Sequence, residues 1–232
     1  MRDASVSASW LLKGHFDFSA QDSHHTTTQQ IKAELCAALS LPKRGLRIAS
    51  FPVGVAKRHT FWWREGTVDY AEAQFFAEVS ETHPILSLGV SVEKGPEDRA
   101  RRVEELMDRA NWDWPRLVKH LPVVISNDIP AAAGVLQGPI NLRIRGRQAD
   151  TEAAWETRAY SFVDGGWFER HVGRGDPDKI SEYIRDLDSQ RDLWVIVHFA
   201  CDLGPAEANG LQPSRAAALL LGFDGIRRRL RP

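Results

Sequence analysis

The chain predicts an α+β fold: a mainly antiparallel sheet built from hairpins and packed with about four to five helices. Three observations lead there. Alternating apolar segments gather in two blocks, residues 46–92 and 140–200. Short turns rich in Gly, Pro and Asp join neighbouring segments, as hairpins require. Helical periods stand between and around the blocks instead of following each strand, which a parallel doubly wound sheet would need.

Residues 4–18 read as a strand in which Val6, Ala8, Trp10 and Leu12 alternate with Ser5, Ser7, Ser9 and Leu11. Ile31, Leu35 and Leu39 then fall at helical spacing, predicting a helix from Thr27 to Ser40 that Pro42 stops. Leu46, Ile48 and Ser50 alternate with Arg47 and Ala49, and apolar runs follow at Thr60–Arg64, Gln74–Val79 and Ile85–Val92. The turn Glu81-Thr82-His83-Pro84 makes the last two a hairpin with Leu86, Leu88, Val90 and Val92 on one face, so this block reads as an antiparallel meander. Gly95-Pro96 opens a helix whose apolar face is Val103, Leu106, Met107 and Ala110, and Asp113 caps a shorter one with Leu117, Val118 and Leu121 inward. Residues 127–139 carry Pro130, Gly134, Gly138 and Pro139 and read as a loop, the one subdomain boundary in a chain taken as a single domain over 1–232.

In the second block Ile140, Leu142 and Ile144 alternate with Asn141, Arg143 and Arg145. Strands at Trp155–Val163 and Trp167–Val172 flank Asp164-Gly165-Gly166, whose glycines suit the positive φ of a tight hairpin turn. Asp176-Pro177 starts a helix that buries Ile180, Ile184 and Leu187, and Leu193–Ala200 is apolar enough for a central strand. Ser214 is expected to cap a final helix running through Leu219, Leu220, Phe223 and Ile226, with Arg227, Arg228, Arg229 and Arg231 at its negative end.

With 43% hydrophobic and 26% charged residues in 232, the composition favours neither a disordered nor a fibrous chain. A formal charge of −1 removes whole-molecule attraction to nucleic acid or anionic membrane, so any such binding has to come from local patches. Arginines outnumber lysines 23 to 7, and the arginine fork suits phosphate and base edges, although a G- and C-rich coding sequence raises arginine without functional cause. Cys36 and Cys201 stand far apart, which points to a reducing compartment and to buried, unpaired thiols. Trp10, Leu11 and Leu12 are too few for a signal-peptide core, and no apolar run approaches the roughly 18 residues that span a bilayer. A soluble cytoplasmic protein with no membrane partner is expected.

Phosphate loops of the GxxxxGK[ST] type, HExxH, paired CxxC and GxSxG are absent. No acidic residue stands two positions before any lysine, so the common metal-nuclease triplet is missing as well. The densest set of metal-ligand types is His15, Asp17 and His25, with His24 beside them; on a strand His15 and Asp17 would share a face and hold a divalent ion with a histidine from the next loop. His25-Thr26-Thr27-Thr28 matches the HxTx element of two-histidine phosphoesterases once, and the second copy such an enzyme needs is missing. His198, inside an apolar run, reads as a core histidine, and Glu78 and Glu93 read as solvent-facing alternates.

Tryptophans at turns and helix starts give the stronger functional signal. Trp62 and Arg64 share one strand face while Trp63 takes the other; Trp112 and Trp114 bracket Asp113; and Trp167 follows a hairpin turn that could bring it to a rim. Arg143, Arg145 and Arg147 form a one-sided stripe, a local anchor for phosphate. Together these residues predict a non-enzymatic recognition module that binds DNA or RNA through an aromatic and arginine surface without a cofactor, in which Arg143→Ala or Trp62→Ala weakens binding without unfolding. Two alternatives stand beside it: a metal-dependent hydrolase or nuclease on the His15 cluster, and an assembly subunit in which tryptophans serve a protein partner.

Overall fold

Alternation gives each strand an apolar and a polar face, and the pairing register decides whether like faces meet. The computed structural model describes residues 26–42, 45–53, 58–65, 73–80, 85–94, 140–148, 156–163, 166–169, 172–189, 193–208 and 211–229. Its strands are β1 (Leu46–Val53), β2 (Arg58–Glu65), β3 (Gln74–Ser80), β4 (Ile85–Lys94), β5 (Ile140–Gln148), β6 (Glu156–Val163), β7 (Gly166–Glu169), β8 (Gly173–Gly175) and β9 (Leu193–Leu203). They form one nine-stranded sheet in the order β1-β2-β3-β4-β9-β5-β6-β7-β8, every adjacent pair antiparallel. The expected α+β class and the meander over β1–β4 are both present, with the sheet dominant. The last long strand, β9, enters between β4 and β5 and joins the two blocks into one surface.

Register aligns the apolar alternates across the sheet. One row runs Trp63, Phe75, Val90, Phe199, Leu142, Tyr160, and the next runs Phe61, Ala77, Leu88, Cys201, Ile140, Phe162, Trp167. The helices α1 (Thr26–Ala38), α2 (Pro177–Ser189), α3 (Pro205–Ala208), α4 (Pro213–Gly222) and α5 (Asp224–Arg229) all add side chains to the same cluster, among them Ile31, Ile180, Ala208, Leu220 and Ile226. At roughly 1.5–3 kcal/mol for each fully buried Leu, Val, Ile or Phe, these rows hold helices and sheet together.

Helix ends show where sequence signals acted. α1 closes with Ser40 at φ 55°, its N–H bonded to the Ala37 carbonyl and the Leu41 N–H to the Cys36 carbonyl, a Schellman stop that precedes Pro42. The indole N–H of Trp63 donates to the Thr28 carbonyl at 3.3 Å and ties the first turn of α1 over β2. The Asp176 carboxylate accepts from the Asp178 N–H at 2.9 Å, capping α2 as expected.

The final helix departs from expectation. Gln212, not Ser214, stands at the N-cap of α4, and its side chain does not cap the helix; Pro213 occupies the first position, where a missing N–H costs nothing, and Ser214 lies exposed in the first turn. The helix ends at Gly222, and α5 begins separately at Asp224. Arg227 does not sit at a solvated helix end either: it is buried against the sheet. The expected hairpin is present, but Gly166 is the first residue of β7 and lies opposite Val163, so the connection is one residue shorter than the expected Asp164-Gly165-Gly166 turn, and β7 ends at Glu169. There the Val172 N–H bonds the Glu169 carbonyl, Gly173 adopts φ 102°, and the chain turns back as β8. The strand expected over 4–18, the helices expected after Pro96 and Asp113, and the loop 127–139 lie outside the described residues.

Candidate functional site

Many of the alternates that face away from the helices are polar, and most of these are shielded from solvent. Thr60, Arg64, Gln74, Glu78, Ser87, Ser91 and His198 are all buried on this second face. Half-buried Asn141, Arg143, Arg145, Ser161 and Asp202 extend it across β5, β6 and β9. Glu78 therefore departs from its expected solvent-facing position, and His198 is buried among polar neighbours instead of in the apolar core.

Two ion-pair systems organise the face. The Asp202 carboxylate is a hub: Arg143 donates Nη2 to Oδ2, Ser87 donates its hydroxyl to Oδ1 at 2.6 Å, and Asn141 donates Nδ2 to Oδ2 at 2.9 Å. Ser161 extends the network by donating to Asn141 Oδ1 at 2.6 Å. Glu78 receives Arg145 at 3.4 Å and the Thr60 hydroxyl at 3.5 Å.

The second pair fixes the curvature of the sheet. Glu78 lies opposite Ser87, and Ser87 opposite Asp202, whereas Arg145 lies opposite Ile196, six residues along β9 and three strands from β3. On a flat sheet that separation is on the order of 24 Å between Cα atoms. An extended arginine, an extended glutamate and their contact span only roughly 15 Å. The sheet therefore curls toward its polar side, which is concave. Gly89 marks a close approach of β4 and β9: in the row Trp62, Phe76, Gly89, Ala200, Asn141, a Cβ on Gly89 would stand 1.9 Å from the Phe199 carbonyl oxygen. Glycine within a strand commonly marks such a close backbone approach.

The expected binding residues divide between the two faces and the undescribed segments. Trp62 and Arg64 do share the polar face, with the guanidinium carbon 5.6 Å from the indole centroid, and Arg143 and Arg145 lie on it too. Arg143 and Arg145 already hold internal carboxylates, so they are not a free phosphate stripe. Arg147 belongs to the same strand face by register, opposite Trp194. Trp167 is corrected from rim to core: it is 1% exposed on the apolar face, edge-on to Phe162 at 5.2 Å. Trp112, Trp114, His15, Asp17 and His25 lie outside the described residues.

Sequence reasoning missed Gln74, Ser91 and Asp202; it expected His198 to be buried, as it is, but not on the polar face. His198 packs on Phe76 with centroids 4.5 Å apart. Asp202 had one usable signal: arginines on a central strand of a nearly neutral chain need carboxylates near them. Among the described residues no three His, Cys, Asp or Glu side chains converge as metal ligands, and no helix is long and apolar enough to cross a membrane. Both cysteines are buried and unbonded to each other, and burial, aided by the Asp202 charge, pushes the Cys201 thiol up to about 12. That thiol remains protonated and is no nucleophile near neutral pH.

No protein-family model, curated protein or solved structure matches the chain.

Proposed function

We propose that this chain is a non-enzymatic recognition module that binds single-stranded nucleic acid on the concave polar face of its sheet. The observation that carries the reading is the Trp62–Arg64 pair, an indole with a guanidinium 5.6 Å from its centroid, at the β2 flank of a face lined with hydrogen-bonding side chains. Bases stack on such aromatic groups without sequence preference, and the guanidinium adds a cation and donors.

The ion pairs refine how the binding responds to salt. Because Arg143 and Arg145 are held by Asp202 and Glu78, few phosphates gain a new cation, and affinity should fall only shallowly with salt. The test is a titration of tryptophan fluorescence with single-stranded and duplex DNA and RNA at two salt concentrations. Quenching by single strands with a shallow salt slope is expected, and no quenching by any strand overturns the reading. In the same assay Trp62→Ala should weaken binding about 5- to 150-fold, the value of one stacked base, and leave the melting temperature nearly unchanged. Arg143→Ala is now expected to destabilise the fold as well, because it strips the Asp202 hub of its cation.

A second reading, an assembly subunit, is favoured by one observation: Val163, Phe168 and Val172 are 40%, 38% and 73% exposed beside the β7–β8 end of the sheet. Light scattering that gives a concentration-independent monomer mass counts against it.

A further inference from the structure

The strand register carries the row that holds Trp62 across the whole concave face. It passes Gly89 and Asn141, reaches Ser161 on β6, and ends at Phe168 on β7 with Arg174 opposite it on β8. The middle of the row is closed to solvent, since Phe76 and Ala200 are fully buried. Its β7–β8 end is open. Phe168 is 38% exposed, Val163 beside it on β6 is 40% exposed, and Ala159 and Arg174 are exposed as well.

One exposed ring means nothing by itself. This ring has a cation next to it. Arg174 Nε and Nη2 lie 3.5 and 3.6 Å from the point where a Cβ on Gly166 would stand, and Phe168 Cε2 lies 3.8 Å from that same point. The guanidinium and the ring edge therefore converge over a residue that has no side chain, and both stay open to solvent. Arg143 and Arg145 are held by Asp202 and Glu78, whereas Arg174 has no carboxylate partner among the described residues. Its charge is free to meet an anion from outside. An aromatic ring with a guanidinium thus stands at each end of one row, Trp62 with Arg64 on β2 and Phe168 with Arg174 on β7 and β8.

We propose that Phe168 and Arg174 form a second contact point for single-stranded nucleic acid, in which one base stacks on the Phe168 ring and the adjoining phosphate pairs with the Arg174 guanidinium. A nucleotide matches this pair because it carries a flat ring and an anion one sugar apart, and the planar fork of arginine suits phosphate. Val163 adds apolar surface beside the ring. The site rests on the nucleic-acid reading given above and deepens it: Trp62 and Phe168 lie six strand spacings apart, roughly 29 Å on a flat sheet and less on a curled one, with a buried stretch between them, so they hold different nucleotides.

The test measures fluorescence anisotropy of labelled oligothymidylate and oligouridylate of about 15 nucleotides, near the upper site size of a single-strand module, at several salt concentrations. The intact chain is compared with Phe168→Ala, Phe168→Trp, Arg174→Gln and Trp62→Ala, each also melted and weighed by light scattering. Phe168→Ala should weaken binding about 5- to 150-fold, and Phe168→Trp should retain it. Arg174→Gln should weaken binding at low salt and lower the slope of log affinity against log salt by roughly 0.7, the mark of one lost phosphate contact on a single strand. Melting temperatures should stay level, because both side chains are exposed. Arg174→Gln carries the test if Phe168→Ala does not fold. Unchanged affinity and salt slope in the Phe168 and Arg174 variants, with binding weakened in Trp62→Ala, remove this site and leave the recognition reading standing. No binding of either strand by the intact chain removes both. Self-association that Phe168→Ala abolishes while oligonucleotide affinity stays the same overturns the site in favour of a protein partner, and lost affinity with lowered melting temperatures in both variants overturns it in favour of a role in the fold.

Discussion

Gly89→Ala is expected to cost at least about 3 kcal/mol, a fall of roughly 6–12 °C in melting temperature for a chain of this size. Gly89 sits in β4 between Phe76 of β3 and Ala200 of β9, near the middle of the nine-stranded order. The added Cβ would meet the Phe199 carbonyl oxygen at 1.9 Å and the Ala200 Cα at 2.7 Å. Both are backbone atoms of the neighbouring strand, so no rotamer change relieves the clash. β4 and β9 would have to separate where the two blocks join, loosening ladder bonds and the packing of Leu88 and Val90 together. Gly166→Ala is the matched control, because its nearest neighbour is the flexible end of Arg174 at 3.5 Å and the change should stay within about 1 kcal/mol of neutral. Chemical denaturation of both variants decides the matter; equal, small losses would mean that β4 and β9 do not approach as closely as described.

The same glycine shows how far the sequence could be read. Period-two alternation identified Leu86, Leu88, Val90 and Val92 as one buried face, and Ile140, Leu142 and Ile144 as another, because burial on the helix side selects the residue type directly. Helical spacing found Ile31 and Leu35, and the Asp164-Gly165-Gly166 segment marked a hairpin, though with Gly166 in the turn and not, as observed, opposite Val163. What alternation cannot reveal is the fate of the other face. Ser87, Ser91, Arg143 and Arg145 satisfy a solvated-face pattern as well as a curled one. Curling depends on contacts such as Arg145 with Glu78 and Arg143 with Asp202, which join residues 67 and 59 positions apart and leave no local trace. Placement of β9 between β4 and β5 is likewise a long-range choice. The split of the last helix was missed for a different reason: Leu219, Leu220, Phe223 and Ile226 keep a helical period across the break at Gly222, and all four are buried.

Arg227→Ala is expected to be the second severe substitution, costing about 3–5 kcal/mol, or roughly 6–20 °C. The side chain of Arg227 is 4% exposed, and its guanidinium joins three elements. Nη1 meets Glu65 Oε1 on β2 at 3.0 Å, Nη2 and Nε meet Asp224 Oδ1 at 2.6 and 2.7 Å, and its carbon lies 4.8 Å from the Phe75 ring centroid on β3. Truncation leaves two carboxylates near the sheet with their shared cation gone, and that loss exceeds whatever net stability the ion pair contributes when intact. Arg228, 67% exposed, still holds the second oxygen of Asp224 and softens the loss there. Lysine cannot bridge both acids in one plane, and Arg227→Lys should therefore recover only part of the loss. A double-mutant cycle of Arg227→Ala with Glu65→Gln should return a coupling on the order of 0.5–3 kcal/mol. A coupling near zero would mean that α5 is held to the sheet by Phe223 and Ile226 alone, with the arginine only filling space.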